Sequence, residues 1–581
     1  MILKNKIVRR IANSNTHELR QSEHIHPTLA RIYRARSVDT PEQLHYSLDR
    51  LLPPEQLAGI DQAVDLLADA LYADARVLIV GDFDADGATS CALGVLALRA
   101  MGCVDVGYLV PNRFEYGYGL TPEIVDVAKA LQPDLLITVD NGISSCSGVR
   151  AANELGMTVL ITDHHLPGAE LPAAAAVVNP NVPGDRFPSK NLAGVGVVFY
   201  VLLALRARLR TLQWFQTRGI KEPNLAAFLD LVALGTVADL VPLDHNNRIL
   251  VFQGLKRINA GRCRPGIDAL LHVAGREPGR AVASDLGYAV APRLNAAGRL
   301  EDMSVGIECL LTSDAASARA MAMQLDQLNR ERRSIEAQMQ QQAAEAVGRI
   351  KLDRTRSPKA LCLFDDQWHQ GVVGLVAGRV CERIYRPVIA FAPGGDGELK
   401  GSARSIAGLH IRDVLDAVAT QYPKLLQRFG GHAMAAGLTL RRGDLDEFTA
   451  AFERQVSERL GDSDLEGVIA SDGSLEDAEL GLEFAELVRS AGPWGQGFPE
   501  PLFDGVFTIL DTKVVGDVHL KLHLRQGESN KECEAIAFQY FQNHDDMPSS
   551  KIHIAYKLDV NEYRGVRLPQ LIIEHLEMLQ S

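Results

Sequence analysis

The sequence predicts an α/β protein of several parts: a parallel-sheet domain, a long connecting helix, a second α/β domain and a small all-β C-terminal domain. Three observations predict it. Short continuous apolar runs alternate with helical patterns from residue 76 to about 209, which is how a parallel sheet covered on both faces reads. The stretch 313–350 has no Pro and only Gly348, and its apolar residues keep a helical stripe. After Gly461 the pattern becomes short alternating strands with turn residues, as in a small β-barrel or sandwich. A chain of 581 residues also suggests about three to five domains, at roughly 100–200 residues each.

In order along the chain, residues 1–50 read as a polar, irregular N-terminal segment containing Pro27 and Pro41. Residues 51–312 read as the first α/β domain, with strands at 76–83, 105–110, 134–140, 158–164 and 175–179 and helices at 88–101, 122–131 and 147–155, followed by helices at 192–209 and 225–234. Residues 313–350 form the connector. Ser313 is the expected N-cap, and the charged run Asn329-Arg-Glu-Arg-Arg333 interrupts the apolar stripe. Residues 351–460 read as the second α/β domain, with strands at 360–364, 387–392, 400–404 and 436–440. Residues 461–581 are the β-domain.

Composition excludes several classes. Apolar residues make up 46% and charged residues 23%, enough to bury full cores, so disordered and disulfide-stapled chains are out. The net charge of −13 argues against coating nucleic acid by bulk charge but permits a local basic groove. None of the eight cysteines forms a CxxC pair, which fits a reducing cytoplasm. The longest uncharged apolar run, 192–205, is too short for the roughly 18–20 residues of a membrane span, so no membrane association is expected.

The chemistry begins at the end of the first strand, in Gly81-Asp-Phe-Asp-Ala-Asp-Gly87. Asp82, Asp84 and Asp86 crowd one strand-to-helix turn, where their repulsion is costly without a cation. A dinucleotide-binding turn would carry glycines there instead. A solvated acidic turn or a plain helix cap would also explain the three acids taken alone. The strand 134–140, however, ends at Asp140-Asn-Gly142, and another ends at Asp163-His164-His165. Parallel strands thus deliver Asp, Asp and His to one sheet edge. Such ligands suit Mn²⁺ or another first-row ion, and Mg²⁺ where oxygen dominates. Two adjacent histidines on a strand point to opposite faces. Asp239, taken alone, reads as a helix-end residue.

In this order, DxDxDG, DNG and DHH resemble the DHH phosphoesterase superfamily, and within it the bacterial exonucleases that digest single-stranded DNA from the 5′ end. The likeness runs from about residue 50 to 575. Pro111-Asn-Arg-Phe-Glu-Tyr-Gly-Tyr-Gly119, Gly235-Thr-Val-Ala-Asp239 and Pro292-Arg-Leu-Asn-Ala-Ala-Gly-Arg299 extend it. Trp368-His-Gln-Gly-Val-Val-Gly374, Gly401-Ser-Ala-Arg-Ser405 and Gly430-Gly-His-Ala-Met-Ala-Ala-Gly437 resemble the DHH-associated domain. The resemblance implies a parallel-sheet DHH domain joined by the long helix to a DHH-associated α/β domain, plus a C-terminal OB-like barrel.

It also implies roles. Asp84, Asp86, Asp140, His164 and Asp239 match ligands of two divalent ions, Mn²⁺ or Mg²⁺. Asp82 and His165 match positions beside the metals and the scissile phosphate. Arg113, Ser402 and Arg404 would hold the terminal 5′ phosphate, while Asn295, Arg299, His369 and His432 would line the strand's path. The implied function is a metal-dependent exonuclease releasing nucleoside 5′-monophosphates in DNA repair and recombination. A slot between the two α/β domains would select single strands. A helicase and a single-strand-binding protein are the implied partners of a cytoplasmic monomer. The alternatives are another DHH phosphoesterase, acting on short oligonucleotides, cyclic dinucleotides or pyrophosphate, and a non-catalytic DNA-binding scaffold.

The β-domain adds its own signal. In 518–525, Leu520, Leu522 and Leu524 alternate with His519, Lys521, His523 and Arg525, giving one apolar and one basic face. A barrel presents such a face to a phosphate backbone. Trp494, Phe498, Phe503, Tyr556 and Tyr563 are candidate stacking platforms, or barrel core.

Overall fold

The structure, a computed structural model, describes residues 6–11, 19, 25–111, 119–349, 358–461, 465, 467–527, 531–543, 547–548, 550–563 and 565–579. The chain forms two compact units, neither of them continuous in sequence. One comprises residues 11–329 and 483–501; the other comprises 1–10, 330–482 and 502–581 and begins with strand β1 (Lys6–Arg9). The polypeptide therefore passes between units at 10/11, 329/330, 482/483 and 501/502.

The first unit is built on strands β2 (Val77–Gly81), β3 (Val106–Leu109), β4 (Leu135–Val139), β5 (Thr158–Thr162) and β6 (Ala176–Val178), in the order β3-β2-β4-β5-β6 and parallel throughout. Every residue of β2 and β4 is buried, as continuous apolar strands between two helical layers must be. Successive side chains alternate faces. Leu78, Val80, Leu136, Val159 and Ile161 pack under the helices Pro122–Lys129 and Cys146–Glu154. Ile79, Ile137 and Leu160 meet Leu67, Leu98, Val198 and Leu202 on the other face. The run expected to be a buried helix is one, Gly194–Thr211.

The long helix is a single element, Ala315–Arg349, 35 residues and about 52 Å at 1.5 Å per residue. Its cap is Asp314, whose Oδ2 accepts from Ser317 N at 2.7 Å, not Ser313; a carboxylate one residue nearer the first turn takes the exposed N–H groups. The charged run does not interrupt the stripe, because Asn329 and Arg332 are buried and Arg332 pairs with Glu336 at 3.0 Å.

In the second unit, β7 (Leu361–Phe364), β8 (Val388–Gly395), β9 (Glu398–Arg404), β10 (Arg428–Gly431) and β11 (Ala435–Arg441) form a sheet in the order β10-β11-β9-β8-β7, with only β7 and β8 parallel. β12 (Val468–Ser471) pairs in parallel with β1. The barrel closes as β13-β14-β15-β17-β16, from β13 (Phe503–Val515), β14 (His519–Gln526), β15 (Glu532–Ala537), β16 (Lys551–Tyr563) and β17 (Val566–Met578). Register shifts at 509/511 and 555/556 add the local twist that closure needs.

Two further readings are resolved. Residues 1–50 are not irregular where described: β1 joins a sheet, and the helix Pro27–Arg34 buries Leu29, Ile32 and Tyr33. Of the aromatic residues named as platforms or core, Phe498, Phe503 and Tyr556 are core, while Trp494 is part-buried. Phe503 and Tyr556 are fully buried in the barrel, and Phe498 is 1% exposed in the other unit, because only burial gives such large apolar rings a favourable place. Tyr563 lies outside the described side chains.

Candidate metal centre

β2, β4 and β5 are neighbours, so the segments leaving their carboxyl ends converge on one edge, where ligands of such sheets bind. Asp84 is the N-cap of the helix Ala85–Ala100; its Oδ1 accepts from Asp86 N at 2.9 Å and Gly87 N at 3.0 Å. Asp86 is held by a second helix start, accepting from Gly194 N at 2.6 Å and Val195 N at 3.0 Å. Asp82 accepts from Phe83 N at 2.7 Å. Asp140 leaves β4 with φ +61°, a left-handed conformation that a non-glycine residue adopts only at a cost. Gly194 makes room for it: a Cβ there would lie 2.6 Å from Asp140 Cβ. Asn141 Nδ2 ties the strand ends together, donating to Val80 O at 3.1 Å and Val139 O at 2.9 Å.

The two histidines do not diverge as strand residues would, since β5 ends at Thr162. The buried Asp163 carboxylate accepts from His164 N (2.7 Å), His165 N (3.0 Å) and Ile143 N (2.9 Å) and pairs with His165 Nδ1 at 2.8 Å. That tight turn brings both rings to one site, with centroids 4.5 Å apart. Asn179 and Asn181 hold the carbonyls of His165 (2.9 Å) and His164 (2.6 Å). Asp239 is the C-cap of the helix Leu229–Ala238, so it is a helix-end residue and also a member of the cluster.

His164 Nε2 lies 3.1 Å from Asp140 Oδ1 and 3.4 Å from Asp239 Oδ2. Three overlapping sets, Asp140/His164/His165, Asp86/His164/Asp239 and Asp82/Asp84/Asp140, each bring their ligand atoms within 4.8 Å of one another. Ions bonded at about 2.0–2.6 Å bridge atoms at that spacing. Burial, then the charge of Asp84, pushes Asp86 up to about 7. Burial, then Asp86 and Asp84, carries Asp140 and Asp239 well above the usual carboxylate range. Asp239 Oδ2 is buried and accepts no hydrogen bond. Acids this close in a site this dry fit divalent cations.

Asn295 sits on the helix Ala291–Leu300, which follows a π-turn at Leu286–Val290. Its Oδ1 accepts from Ala85 N at 2.7 Å, so this oxygen braces the metal turn, a task the motif alone did not indicate. Arg299, four residues on, is part-buried on the same helix.

Ser402, Arg404, His369 and His432 belong to the other unit. Arg404 Nη1 donates to Ser402 Oγ and Ala403 O, both at 2.9 Å. No carboxylate among the described residues forms an ion pair with it, and burial lowers its pKa. Gly374, in the first turn of the helix Val373–Ile384, keeps the space open: a Cβ there would lie 2.9 Å from both Arg404 Nη2 and Ser402 Oγ. His369 Nδ1 accepts from Gly371 N at 3.2 Å. His432 is exposed beyond β10, not a core residue. Arg113 lies outside the described residues.

On the barrel, the alternation holds: Leu520, Leu522 and Leu524 are buried. The basic face is not bare, however. Lys521 pairs with Glu534 at 2.7 Å and His523 with Glu532 at 3.1 Å, Arg525 stands opposite Glu532 in the ladder, and His519 Nδ1 accepts from Gln539 N. β15 supplies the acids, through a pairing that β14 alone cannot reveal.

Sequence reading missed Asp163, Asn141, Asn179, Asn181 and the Gly194–Val195 N–H pair as builders of the site. Polar residues flanking strand ends were the available signal.

Comparison with known proteins agrees with this architecture. Residues 76–236 match the DHH family, N-terminal domain; 357–458 match the DHHA1 domain; 471–575 match the RecJ OB domain. The chain is 55% identical to the single-stranded-DNA-specific exonuclease RecJ of Dickeya dadantii, over 98% of this chain and 99% of that one. It is 53% identical to the Escherichia coli protein of that name, over 95% and 96%. The solved RecJ of Thermus thermophilus in complex with Mn²⁺ superimposes with a TM-score of 0.79 at 30% identity, covering 99% of this chain and 80% of that one; the Mg²⁺ complex gives 0.75. The chain belongs to the RecJ family of the DHH proteins.

Proposed function

We propose that this chain is a metal-dependent exonuclease that degrades single-stranded DNA from its 5′ end to nucleoside 5′-monophosphates. One observation carries the reading: Asp140, His164 and Asp239, from two strand ends and a helix end, meet at 3.1–3.4 Å among a set of buried and half-buried acids. Two divalent ions, Mn²⁺ or Mg²⁺, held by Asp84, Asp86, Asp140, His164 and Asp239, would ready water for attack near neutral pH and offset phosphate charge. Water adds in line to the scissile phosphorus and the bond to the 3′ oxygen breaks. His165, whose pKa the Asp163 carboxylate raises against the pull of burial, stabilises the charge on that departing oxygen, while Asp82 lies beside the phosphate.

Arg404 and Ser402, with Arg113, grip the terminal 5′ phosphate; a desolvated guanidinium without an acid partner is suited to an anion. His369, His432, Asn295 and Arg299 attend the strand. The barrel face of His519, Lys521, His523 and Arg525 engages the polymer, moderated by its glutamates. Eight free cysteines support a reducing cytoplasm, and among the described residues no helix is long and apolar enough to cross a membrane. A monomer working beside a helicase and a single-strand-binding protein completes the proposal.

The test incubates 5′- and 3′-labelled single- and double-stranded oligonucleotides with Mn²⁺ or EDTA, using Asp84→Ala as control. The 5′ label should appear first as mononucleotide, from single strands only, with metal only, and not with the variant. Early release of the 3′ label, or equal digestion of duplex, refutes the reading.

A further inference from the structure

The chain leaves the helix Leu229–Ala238 at Asp239, turns at Leu240 with φ +59°, and reaches Pro242 and Leu243. Residues from far along the sequence hold this turn. Leu243 N donates to Gln496 O at 2.7 Å. Gly495 and Phe498 pair through 2.9 and 3.1 Å backbone hydrogen bonds, making a tight loop whose glycines lie against the turn. A Cβ on Gly495 would come 2.7 Å from Leu243 Cδ1, and one on Gly497 3.1 Å from Pro242 Cβ. Arg248 closes the grip, donating to Leu243 O at 2.9 Å while its guanidinium lies 4.3 Å over the Phe498 ring. The loop is itself anchored: Trp494 stacks on Phe498 and Tyr33, Tyr33 Oη donates to Ala491 O at 2.8 Å, and Arg36 Nε donates to Pro499 O at 2.7 Å.

We infer that the loop 495–498 is a positioning element for Asp239, setting the place of that carboxylate by clamping the turn four residues after it. The inference rests on the metal-centre reading above. His164 Nε2 approaches the Asp239 carboxylate at 3.4 Å without a hydrogen bond. Asp239 caps a helix end, and its buried Oδ2 accepts no hydrogen bond, so its orientation depends on the path of the chain that follows. Supports outside the ligands themselves set metal affinity in this way. The segment 483–501 that carries the loop is flanked at both ends by residues of the barrel-bearing unit, so the polypeptide that builds the barrel also supplies a support of the metal centre.

The experiment titrates full-length protein with Mn²⁺ alone, without DNA, reading free Mn²⁺ by electron paramagnetic resonance. Gly497→Ala is the probe, since φ +71° and the Pro242 contact both oppose a side chain there. Trp494→Phe is the milder second probe, keeping a ring but losing the donor to Val488 O at 2.9 Å. Val418→Ala, in the core of the other unit, controls for general loss of stability, and Asp239→Asn for the site. Gly497→Ala should weaken Mn²⁺ binding about tenfold and Trp494→Phe less, with Val418→Ala unchanged despite a lower Tm. Wild-type Mn²⁺ affinity in folded Trp494→Phe and Gly497→Ala, with Asp239→Asn weakened, reduces the loop to packing; should Gly497→Ala not fold, Trp494→Phe decides alone. Wild-type affinity in Asp239→Asn instead sinks the metal-centre reading beneath it.

Discussion

Asp163→Asn changes one atom of a carboxylate that is 1% exposed and fully engaged. Oδ1 takes His164 N, His165 N and His165 Nδ1, and Oδ2 takes Ile143 N. An amide has one acceptor oxygen, so with Oδ1 kept, its NH₂ faces the Ile143 N–H, donor against donor. Losing one charge-assisted bond costs about 1.5–3 kcal/mol, and the buried unsatisfied donor about 1–3 more, giving a stability loss of about 2.5–6 kcal/mol. The effect on His165 has a definite sign. Burial pulls its pKa down, but the hydrogen bond and charge of Asp163, then Asp82 and Asp84, outweigh burial and leave it raised. The variant therefore loses its His165 proton at lower pH, and the alkaline limb of the rate profile moves down. If the imidazolium stabilises the leaving oxygen, a loss of about 1.5–3 kcal/mol translates to roughly 10–150-fold in kcat. Nucleotide release from a single-stranded oligonucleotide at saturating Mn²⁺, followed from pH 6 to 9 alongside Tm, measures both. A folded variant with kcat within about twofold of wild type and an unmoved alkaline limb would refute the role given to the Asp163–His165 pair.

Other consequences are as direct. Asp86, raised to about 7, and the raised Asp140 and Asp239 hold protons in the metal-free fold that the unfolded chain releases at about pH 4. That stabilising contribution is full at low pH and is lost as pH rises through the raised values, about 7 for Asp86, so the Tm gap between Mn²⁺-loaded and EDTA-treated protein should widen from pH 6 to 8; a constant gap argues against repulsion among these acids. Arg404→Ala should abolish preference for 5′-phosphorylated over 5′-hydroxyl strands, with Arg404→Lys intermediate because the charge remains but the fork does not; a competition assay between the two ends decides. The double change Glu532→Gln, Glu534→Gln should tighten single-strand binding and steepen its salt dependence, by freeing His523 and Lys521, with stability moving by less than about 1 kcal/mol since the pairs are exposed. Unchanged affinity by fluorescence anisotropy would remove this face from the binding surface.

The parallel sheet was legible because its central strands are buried on both sides and so are almost wholly apolar, and three of its strands, β2, β4 and β5, lead straight into acids. What stayed hidden depends on partners distant in sequence. The shared direction of His164 and His165 comes from the turn that Asp163 builds, which strand alternation cannot express. Asn295 points at Ala85 N across 210 residues. The acids beside Lys521 and His523 come from β15, and the motif around β14 has no knowledge of them. Asp239 reads as a helix end because it is one; its place in the cluster appears only when that helix packs against the helix Ala85–Ala100. The last domain looked separable because its pattern changes after Gly461, yet 483–501 belongs with the metal-bearing residues.

That interleaving bears on how the protein is born. A ribosome that has released residues 11–329 has delivered every acid and histidine of the cluster, but not the buried Phe498 or the loop around it, which belong to the same unit. Domains fold during synthesis as their segments emerge, and here one such segment is nearly the last. On the inference drawn above, a fragment that ends before residue 495 would hold its metal more weakly, so the centre would reach full strength only when most of the chain has been made.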